Sequence, residues 1–161
     1  MDLAVLQKYL HDHIPLSKAM DVEVVEATDD GVTLAAPLAP NINHRETVFG
    51  GSASAVSILS AWTLMYLRLK SEQLNVRIVI QKNTMTYERP MTGKFAASAA
   101  ISDTRAWRRF TDTLRRKSRG RFTVRSILHC HSEKVGEFEG DFVAWILQRN
   151  GVSLGAPRGP A

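Results

Sequence analysis

A long stretch without charge, preceded by a short polar motif, is the feature that most restricts how this chain can fold. Residues 50–67 contain no Asp, Glu, Lys or Arg, and they follow directly on the polar segment 41–49. A helix that begins at the pair Gly50 and Gly51 directs unpaired backbone N–H groups and the positive end of its dipole at whatever lies in front of it. Such an end suits a carbonyl oxygen that becomes an anion during reaction, so the stretch predicts an acyl-transfer site.

The same stretch has the length of a membrane span, because about 18 to 20 apolar residues cross a bilayer. Its four serines, its threonine and the glycine pair argue against that interpretation. We predict instead a helix that protein encloses on nearly every side, with one bulky face and one small, polar face. The bulky face comprises Ala55, Ile58, Leu59, Trp62, Met65, Tyr66 and Leu69, and the small face comprises Ser54, Ser57, Ser60 and Thr63.

The size and composition indicate one ordinary globular domain. A chain of 161 residues buries about 70% of the surface that it exposes when unfolded, which suffices for one solid core. With 44% hydrophobic and 23% charged residues, the chain is neither disordered nor fibrous. Its single cysteine, Cys130, cannot form an internal disulfide, and the first residues do not resemble a secretory signal. We therefore expect a cytoplasmic protein, with one domain over residues 1–148 and a flexible tail over 149–161.

Positive charge is concentrated in one segment. Residues 104–125 contain nine Lys or Arg against Asp112 alone, a net charge of +8, whereas the rest of the chain carries −3. Such a block can meet the phosphates of a nucleic acid, a membrane or a coenzyme. No aromatic stacking platform or reading element accompanies it, so we expect no nucleic-acid partner. A solvated helix face and strand edge remain the simpler interpretation for most of these side chains.

The pattern of apolar and turn residues predicts an α+β order of elements. A short helix from Leu3 to His13, closed by Pro15, precedes a hairpin whose turn is Thr28–Gly31. After the charge-free helix come a strand from Val76 to Tyr87 and an alanine-rich strand from Lys94 to Ser102. Asp103 then caps a short helix that points Trp107, Phe110 and Leu114 inward.

The last two strands alternate most clearly. Their inner residues are Phe122, Val124, Leu128 and Cys130 on the first strand, and Phe138, Phe142, Ala144 and Ile146 on the second. If residues 132–134 form a three-residue loop, His129 faces Glu137 and Arg125 faces Asp141 on the outer side. The whole order predicts a hotdog fold, in which an antiparallel sheet of about six strands curls around the long central helix.

Three groups of residues in this sequence resemble the hotdog-fold thioesterases, and most closely the thioesterase domain at the C-terminus of YiiD-type proteins. The likeness covers about residues 14–147. The matching residues are the motif Asn41-x-Asn43-His44-x-x-Thr47-x-Phe49-Gly50-Gly51-Ser52, Trp62 within the helix, and Tyr87-x-Arg89-Pro90 after it. The resemblance implies hydrolysis of an acyl thioester carried by coenzyme A or by an acyl carrier protein. Hotdog enzymes of this kind work as dimers or dimers of dimers, so a homo-oligomer is also implied.

The resemblance also implies roles for residues of the motif. The thioester carbonyl would lie against the backbone N–H of Gly51. Better-known hotdog thioesterases carry an Asp or Glu two or three turns into the central helix, but residues 50–70 contain neither. A serine without a base is a poor nucleophile, so His44, assisted by Asn43, with Glu46 as a nearby carboxylate, is the candidate for activating water. Thr47 is a further candidate for contact with the thioester.

The remaining predicted site residues would bind substrate. Phe49, Gly50, Ser52, Ser57 and Tyr87 belong to the acyl site, and Arg108, Arg109 or Arg116 would meet the phosphates of coenzyme A. Coenzyme A or phosphopantetheine enters only as part of the substrate, so no cofactor is predicted. His129 and His131 have a spacing compatible with a metal, but no third ligand is apparent and no metal is predicted.

Several of these assignments have structural alternatives. Asn43, His44 and Thr47 can simply satisfy the loop and cap the helix, Glu46 can be a solvated acid, and Ser57 can be a packing residue that bonds back to the preceding turn. Because the helix lacks a carboxylate, a module that binds acyl thioesters without turnover is the alternative function.

Overall fold

The structure, a computed structural model, describes residues 2–147, and the predicted tail over 149–161 lies outside this range. The helices are α1 (Leu3–His13), α2 (Pro15–Ala19), α3 (Gly50–Ser71) and α4 (Thr104–Lys117), and a short 3-10 turn covers Ala39–Asn41. The strands are β1 (Glu23–Ala27), β2 (Gly31–Ala36), β3 (Val76–Tyr87), β4 (Phe95–Ala100), β5 (Arg119–Cys130) and β6 (Glu133–Ile146).

The six strands form one antiparallel sheet in the order β1-β2-β4-β5-β6-β3. Strands β1 and β3 therefore lie at the two edges. Helix α3 packs against the sheet, and none of residues 52–69 is exposed. The enclosed helix and the hotdog arrangement are thus confirmed.

The small face of α3 lies against the sheet. Ser57, Ser60 and Thr63 are fully buried, and the Ser60 hydroxyl lies 3.0 Å from the hydroxyl of Ser126 on β5. Small side chains let the helix approach the strands closely, while bulkier residues such as Leu64 fill the space beside them. A fully buried leucine of this kind stabilises the fold by about 1.5 to 3 kcal/mol.

Helix α4 has the cap and the inner face that the sequence predicts. The Asp103 carboxylate accepts a hydrogen bond from the Ala106 amide at 2.9 Å, which satisfies one of the unpaired donors of the first turn. Trp107, Phe110 and Leu114 are buried, whereas the arginines between them remain exposed. The helix ends at Ser118, whose φ is 55°.

The predicted register of the β5–β6 hairpin is wrong by two residues. Arg125 lies opposite Glu139 rather than Asp141, and Ile127 rather than His129 lies opposite Glu137. The loop has two residues instead of three, since His131 and Ser132 both adopt positive φ, and a register shift follows Leu128. A slip of two preserves the faces of a strand, so the predicted inner set is correct although the pairs are not.

Two further details differ from the sequence-based expectation. Pro15 does not simply end α1 but begins the short helix α2, because the missing N–H of a proline costs nothing in a first helical turn. Lys134, not His129, is the partner of Glu137. Among the helices of residues 2–147, none has the length and hydropathy that a bilayer crossing requires.

Candidate functional site

The loop before α3 is held by Asn43. Its side-chain amide donates to the Thr47 hydroxyl at 2.9 Å, and its side-chain oxygen accepts from the backbone amides of Arg45 and Thr47. A backbone bridge between Ile42 and Val48 closes the base of the loop. Asn43 and Thr47 thus have the loop-satisfying bonds that the sequence left as the alternative to substrate contact.

His44 and Glu46 lie at the exposed tip of the loop. The Arg45 Nε donates to His44 Nε2 at 3.2 Å, which places the imidazole proton on Nδ1 when the ring is neutral. Glu46 has a φ of 60° and forms no ion pair with any residue between 2 and 147. Their roles in catalysis stay predictions.

The N-terminus of α3 lacks a side-chain cap. Ala53 is the first residue of the helix whose amide has an intramolecular acceptor, the carbonyl of Phe49 at 3.1 Å. Within the described part of the chain, the amides of Gly50, Gly51 and Ser52 have no acceptor. Gly51 is exposed and Ser52 half-buried, so the positive end of this helix is open to solvent.

The Phe49 ring lies over Gly51. A Cβ added at Gly51 would overlap this ring, and 58% of the Phe49 side chain is exposed. A large exposed aromatic side chain can move without disturbing the core, so it covers the open helix end without sealing it. Phe49 and Gly51 therefore lie together at the start of α3, and their roles in binding and catalysis stay predictions.

Tyr87 connects the end of β3 to the start of α3. Its hydroxyl donates to the carbonyl of Gly50 at 2.8 Å, and a Cβ on Gly50 would make ordinary contact with its ring. Partial burial raises the pKa of Tyr87 above its usual value, which keeps the hydroxyl protonated as a donor. The sequence placed Tyr87 near substrate but gave no signal for this bond.

Ser57 lies inside the helix–sheet contact. It is fully buried, its hydroxyl donates to the Ala53 carbonyl at 2.8 Å, and its own carbonyl accepts from Ser60 and Ser126. These bonds favour the packing interpretation over contact with substrate.

The three arginines predicted for coenzyme phosphates separate in the structure. Arg109 lines a cavity between α4 and β5, whereas Arg108 and Arg116 do not. The Arg116 Nε donates to the backbone oxygen of Asp112 at 3.4 Å. The cavity wall also contains Arg121 and Arg125, although the sequence indicated only a place in the charged segment for Arg121 and a hairpin pair for Arg125.

No three His, Cys, Asp or Glu side chains within residues 2–147 are grouped closely enough to hold a metal ion. His131 has the hydroxyl of Thr92 at 3.3 Å from its Nε2.

A curled antiparallel sheet around one buried helix, with the helix end open behind a polar loop, defines this molecule as a hotdog-fold protein of the thioesterase type. A family model described as "putative thioesterase (yiiD_Cterm)" matches residues 3–146. The chain belongs to that family.

Solved structures agree with this assignment. A protein of unknown function from Chlorobaculum tepidum is 25% identical, with a TM-score of 0.84 over 89% of this chain and 94% of its own. A "putative thioesterase" from Shewanella oneidensis is 26% identical, with a TM-score of 0.79 over 89% and 96%. A "probable thioesterase" from Pseudomonas aeruginosa, 17% identical with a TM-score of 0.77 over 89% and 96%, shares the fold.

Proposed function

We propose that this protein hydrolyses acyl thioesters whose thiol is the pantetheine arm of coenzyme A or of an acyl carrier protein. The observation that carries the proposal is the open N-terminus of α3, where three consecutive amides have no acceptor among residues 2–147. Membership of a thioesterase family supports the same chemistry. A backbone donor to an oxyanion contributes about 3 to 4 kcal/mol to lowering the barrier.

In the proposed reaction, the oxygen of a water molecule attacks the thioester carbonyl carbon. The amide of Gly51 donates to the carbonyl oxygen as it becomes negative, the carbon–sulfur bond then breaks, and the thiol leaves with a proton. His44 accepts the proton of the attacking water at Nε2 once the exposed Arg45 side chain has left that nitrogen, and it passes the proton to the departing sulfur. Glu46 is the nearby carboxylate. Asn43 and Thr47 keep the loop in the conformation that presents these groups.

The substrate would approach along the surface formed by Phe49, Ser52 and Tyr87. The exposed Phe49 ring offers an apolar contact, and Tyr87 fixes the helix end through Gly50. The chemistry requires no metal and no cofactor beyond the pantetheine group that arrives with the substrate. A cytoplasmic location agrees with a chain that has one cysteine and hence no internal disulfide.

A second copy of the chain is part of the proposal. Strand β3 has twelve residues and, among residues 2–147, pairs only with β6, so its other edge offers backbone groups that no described strand pairs with. Its C-terminal residue Tyr87 contacts the start of α3. A dimer, or a dimer of dimers, formed along β3 would bring another chain next to each helix N-terminus, where His44 or Glu46 of one copy could serve the other.

The test is thiol release by purified protein from acyl-CoA esters of increasing chain length. We expect release from at least one ester and a loss of about 100-fold in His44→Ala, since general bases contribute about 10²- to 10⁴-fold. Arg45→Ala, which keeps the imidazole and removes its neighbour, is the matched control and should retain most activity. Folded protein that releases no thiol from any ester would refute hydrolysis.

The absence of Asp and Glu from α3 favours one other candidate, a module that binds acyl thioesters without turnover. Such a module would bind a non-hydrolysable acyl thioether analogue with an affinity that His44→Ala leaves unchanged, and it would show no rate in either form.

A further inference from the structure

A cavity of about 560 Å³ lies between α4 and β5. Strand β4 ends at Ala100, which pairs with Arg125, so residues 119–124 of β5 run on without a β4 neighbour. The chain turns away there to begin α4, and the cavity occupies the resulting gap. Its volume is within the range of about 300 to 1,000 Å³ that small-molecule sites occupy.

Three arginines from two elements converge on this cavity: Arg109 from α4, and Arg121 and Arg125 from β5. Arg125 pairs with Glu139 at 2.7 Å, whereas Arg109 and Arg121 form no ion pair with any residue between 2 and 147.

The one acid in the cavity wall is Asp103. Its carboxylate caps α4 and forms no ion pair with Arg109 or Arg121. Positive charge is therefore in excess around the cavity.

The inner wall is apolar. Phe110 and Phe122 contribute rings whose centroids lie 5.3 Å apart, and Ala100 and Ile101 complete this side. Guanidinium groups bind phosphate oxygens through two parallel hydrogen bonds, while aromatic and aliphatic side chains contact the organic part of a ligand. A lining that combines guanidinium groups with aromatic rings thus suits an organic phosphate better than an inorganic ion.

The simplest alternative is that these arginines only keep the surface soluble. Arg105 and Arg108 serve as a comparison, because they lie on the same helix and are exposed but do not line the cavity. Arg109 and Arg121 differ from them in facing one concave space from two separate elements.

Helix α4 contacts α3 near the C-terminal end of α3, away from Gly51. The Arg68 guanidinium lies 4.9 Å from the centre of the Trp107 ring of α4, and Arg68 comes seventeen residues after Gly51 in α3. At 1.5 Å per residue, Arg68 is about 25 Å from Gly51 along the axis of α3.

We propose that this cavity binds a phosphate-bearing organic anion of nucleotide size, held by Arg109 and Arg121 above the rings of Phe110 and Phe122. The ligand is either the phosphorylated nucleotide end of a coenzyme thioester or a free nucleotide. Binding at the cavity does not depend on hydrolysis at Gly51, and only the identification of the first source rests on the proposed function.

The test is calorimetric titration of the full chain with adenosine 3′,5′-bisphosphate, with AMP and with inorganic phosphate. We expect the bisphosphate to bind most tightly, and Arg109→Glu and Arg121→Glu each to weaken it at least tenfold. Arg108→Glu makes the same charge change about 100° around α4 from Arg109, at a side chain that does not line the cavity, and should change the affinity less than twofold. No binding of any probe to folded protein, or an equal loss in Arg108→Glu, would overturn the proposal.

Kinetics with two thioesters then distinguish the sources. If the ligand is the coenzyme end of the substrate, Arg121→Glu raises KM for an acyl-CoA at least tenfold and leaves KM for the matching acyl-pantetheine unchanged. If the ligand is a free nucleotide, both KM values stay unchanged although the bisphosphate no longer binds. An equal rise in both KM values would contradict a separate site. If the protein hydrolyses none of the thioesters, the titration still tests binding at the cavity, and only the proposed hydrolysis is refuted.

Discussion

At the scale of single residues, the two glycines at the start of α3 have different surroundings. A Cβ on Gly50 has room beside Tyr87, whereas a Cβ on Gly51 would overlap the Phe49 ring. Both keep their amide on substitution by alanine. A comparison of Gly50→Ala with Gly51→Ala therefore separates the effect of steric crowding at the helix end from the effect of a higher helix propensity.

We predict that Gly51→Ala keeps the fold but lowers thiol release at least tenfold. The exposed Phe49 ring can move aside, and alanine favours a helix over glycine by up to about 1 kcal/mol, so the free energy of unfolding should be unchanged or slightly higher. The new methyl group and the displaced ring would obstruct the approach to the amide. Gly50→Ala is the control and should lose less activity. A stability loss above about 1 kcal/mol in urea would mean that the ring is fixed.

Tyr87 provides a prediction with a pH dependence. Its pKa is raised by burial, so its contribution to stability is present below pH 10, the usual pKa of an unfolded tyrosine, and is lost as the pH rises through the raised value. Tyr87→Phe should therefore flatten the fall in unfolding free energy that sets in as the pH rises past about 10. At pH 7 it should cost roughly 0.5 to 1 kcal/mol, because the bond to Gly50 is lost.

Tyr9→Phe is the control for Tyr87→Phe. Burial raises the pKa of Tyr9 as well, but its ring stacks on Tyr66 and makes no contact with Gly50. Both variants should flatten the pH profile, and only Tyr87→Phe should slow thiol release. Equal rates of thiol release in the two variants would show that Tyr87 does not position the start of α3 for catalysis.

At the scale of elements, the small face of α3 sets the distance between helix and sheet. We predict that Ser126→Val destabilises the protein more than Ser126→Ala does. Alanine removes one hydroxyl from a cluster in which Ser60 still bonds to the Ser57 carbonyl, at a cost of about 1 kcal/mol. Valine adds carbon atoms to a fully buried contact, at a further cost of about 1 to 3 kcal/mol. Urea denaturation measures the free energy of unfolding of both variants. Equal losses would show that the contact around Ser126 has room for the larger side chain.

The elements also show what the sequence could predict. The bounds of α1 and β3 and the start of α3 at Gly50 follow from periodicity and breakers, and these were predicted, whereas the end of α3 at Ser71 was not. The β5–β6 register was not, because His131 and Ser132 adopt positive φ although turns of that kind favour Asn and Gly. Nothing local indicates the register shift after Leu128 either.

The candidate site also has a part that the sequence predicts and a part that it does not. The motif predicts which residues come together at the start of α3, because they are adjacent in the chain. The bond from Tyr87 to Gly50 and the cavity formed by Arg109 and Arg121 join distant segments. The sequence shows that arginines are concentrated in residues 104–125. Which of them line the cavity depends on where β4 ends, because β5 extends beyond the last β4 pair at Arg125.

At the scale of the whole molecule, the two edges of the sheet differ. Strand β1 has five residues, a register shift after Val24 and the acids Glu23 and Glu26. Short length, irregularity and charge are the usual means by which an edge avoids pairing. Strand β3 has twelve residues and one register shift of its own against β6, and it carries an exposed valine, Val79. The edge of β3 is therefore the better candidate for pairing with a second chain.

We predict that the protein sediments as a dimer or larger assembly and that Val79→Lys raises the dissociation constant at least tenfold, which corresponds to about 1.4 kcal/mol. A two-fold pairing of β3 brings the new lysines of two copies close together, and like charges across paired strands repel. Val25→Lys is the matched control, because Val25 is 47% exposed on β1 and Val79 40% exposed on β3. If the site at the start of α3 needs a second chain for activity, thiol release by Val79→Lys should fall in proportion to the fraction of dimer. Its circular dichroism should stay unchanged. A monomeric wild type, or equal dissociation in Val25→Lys, would exclude β3 as the interface.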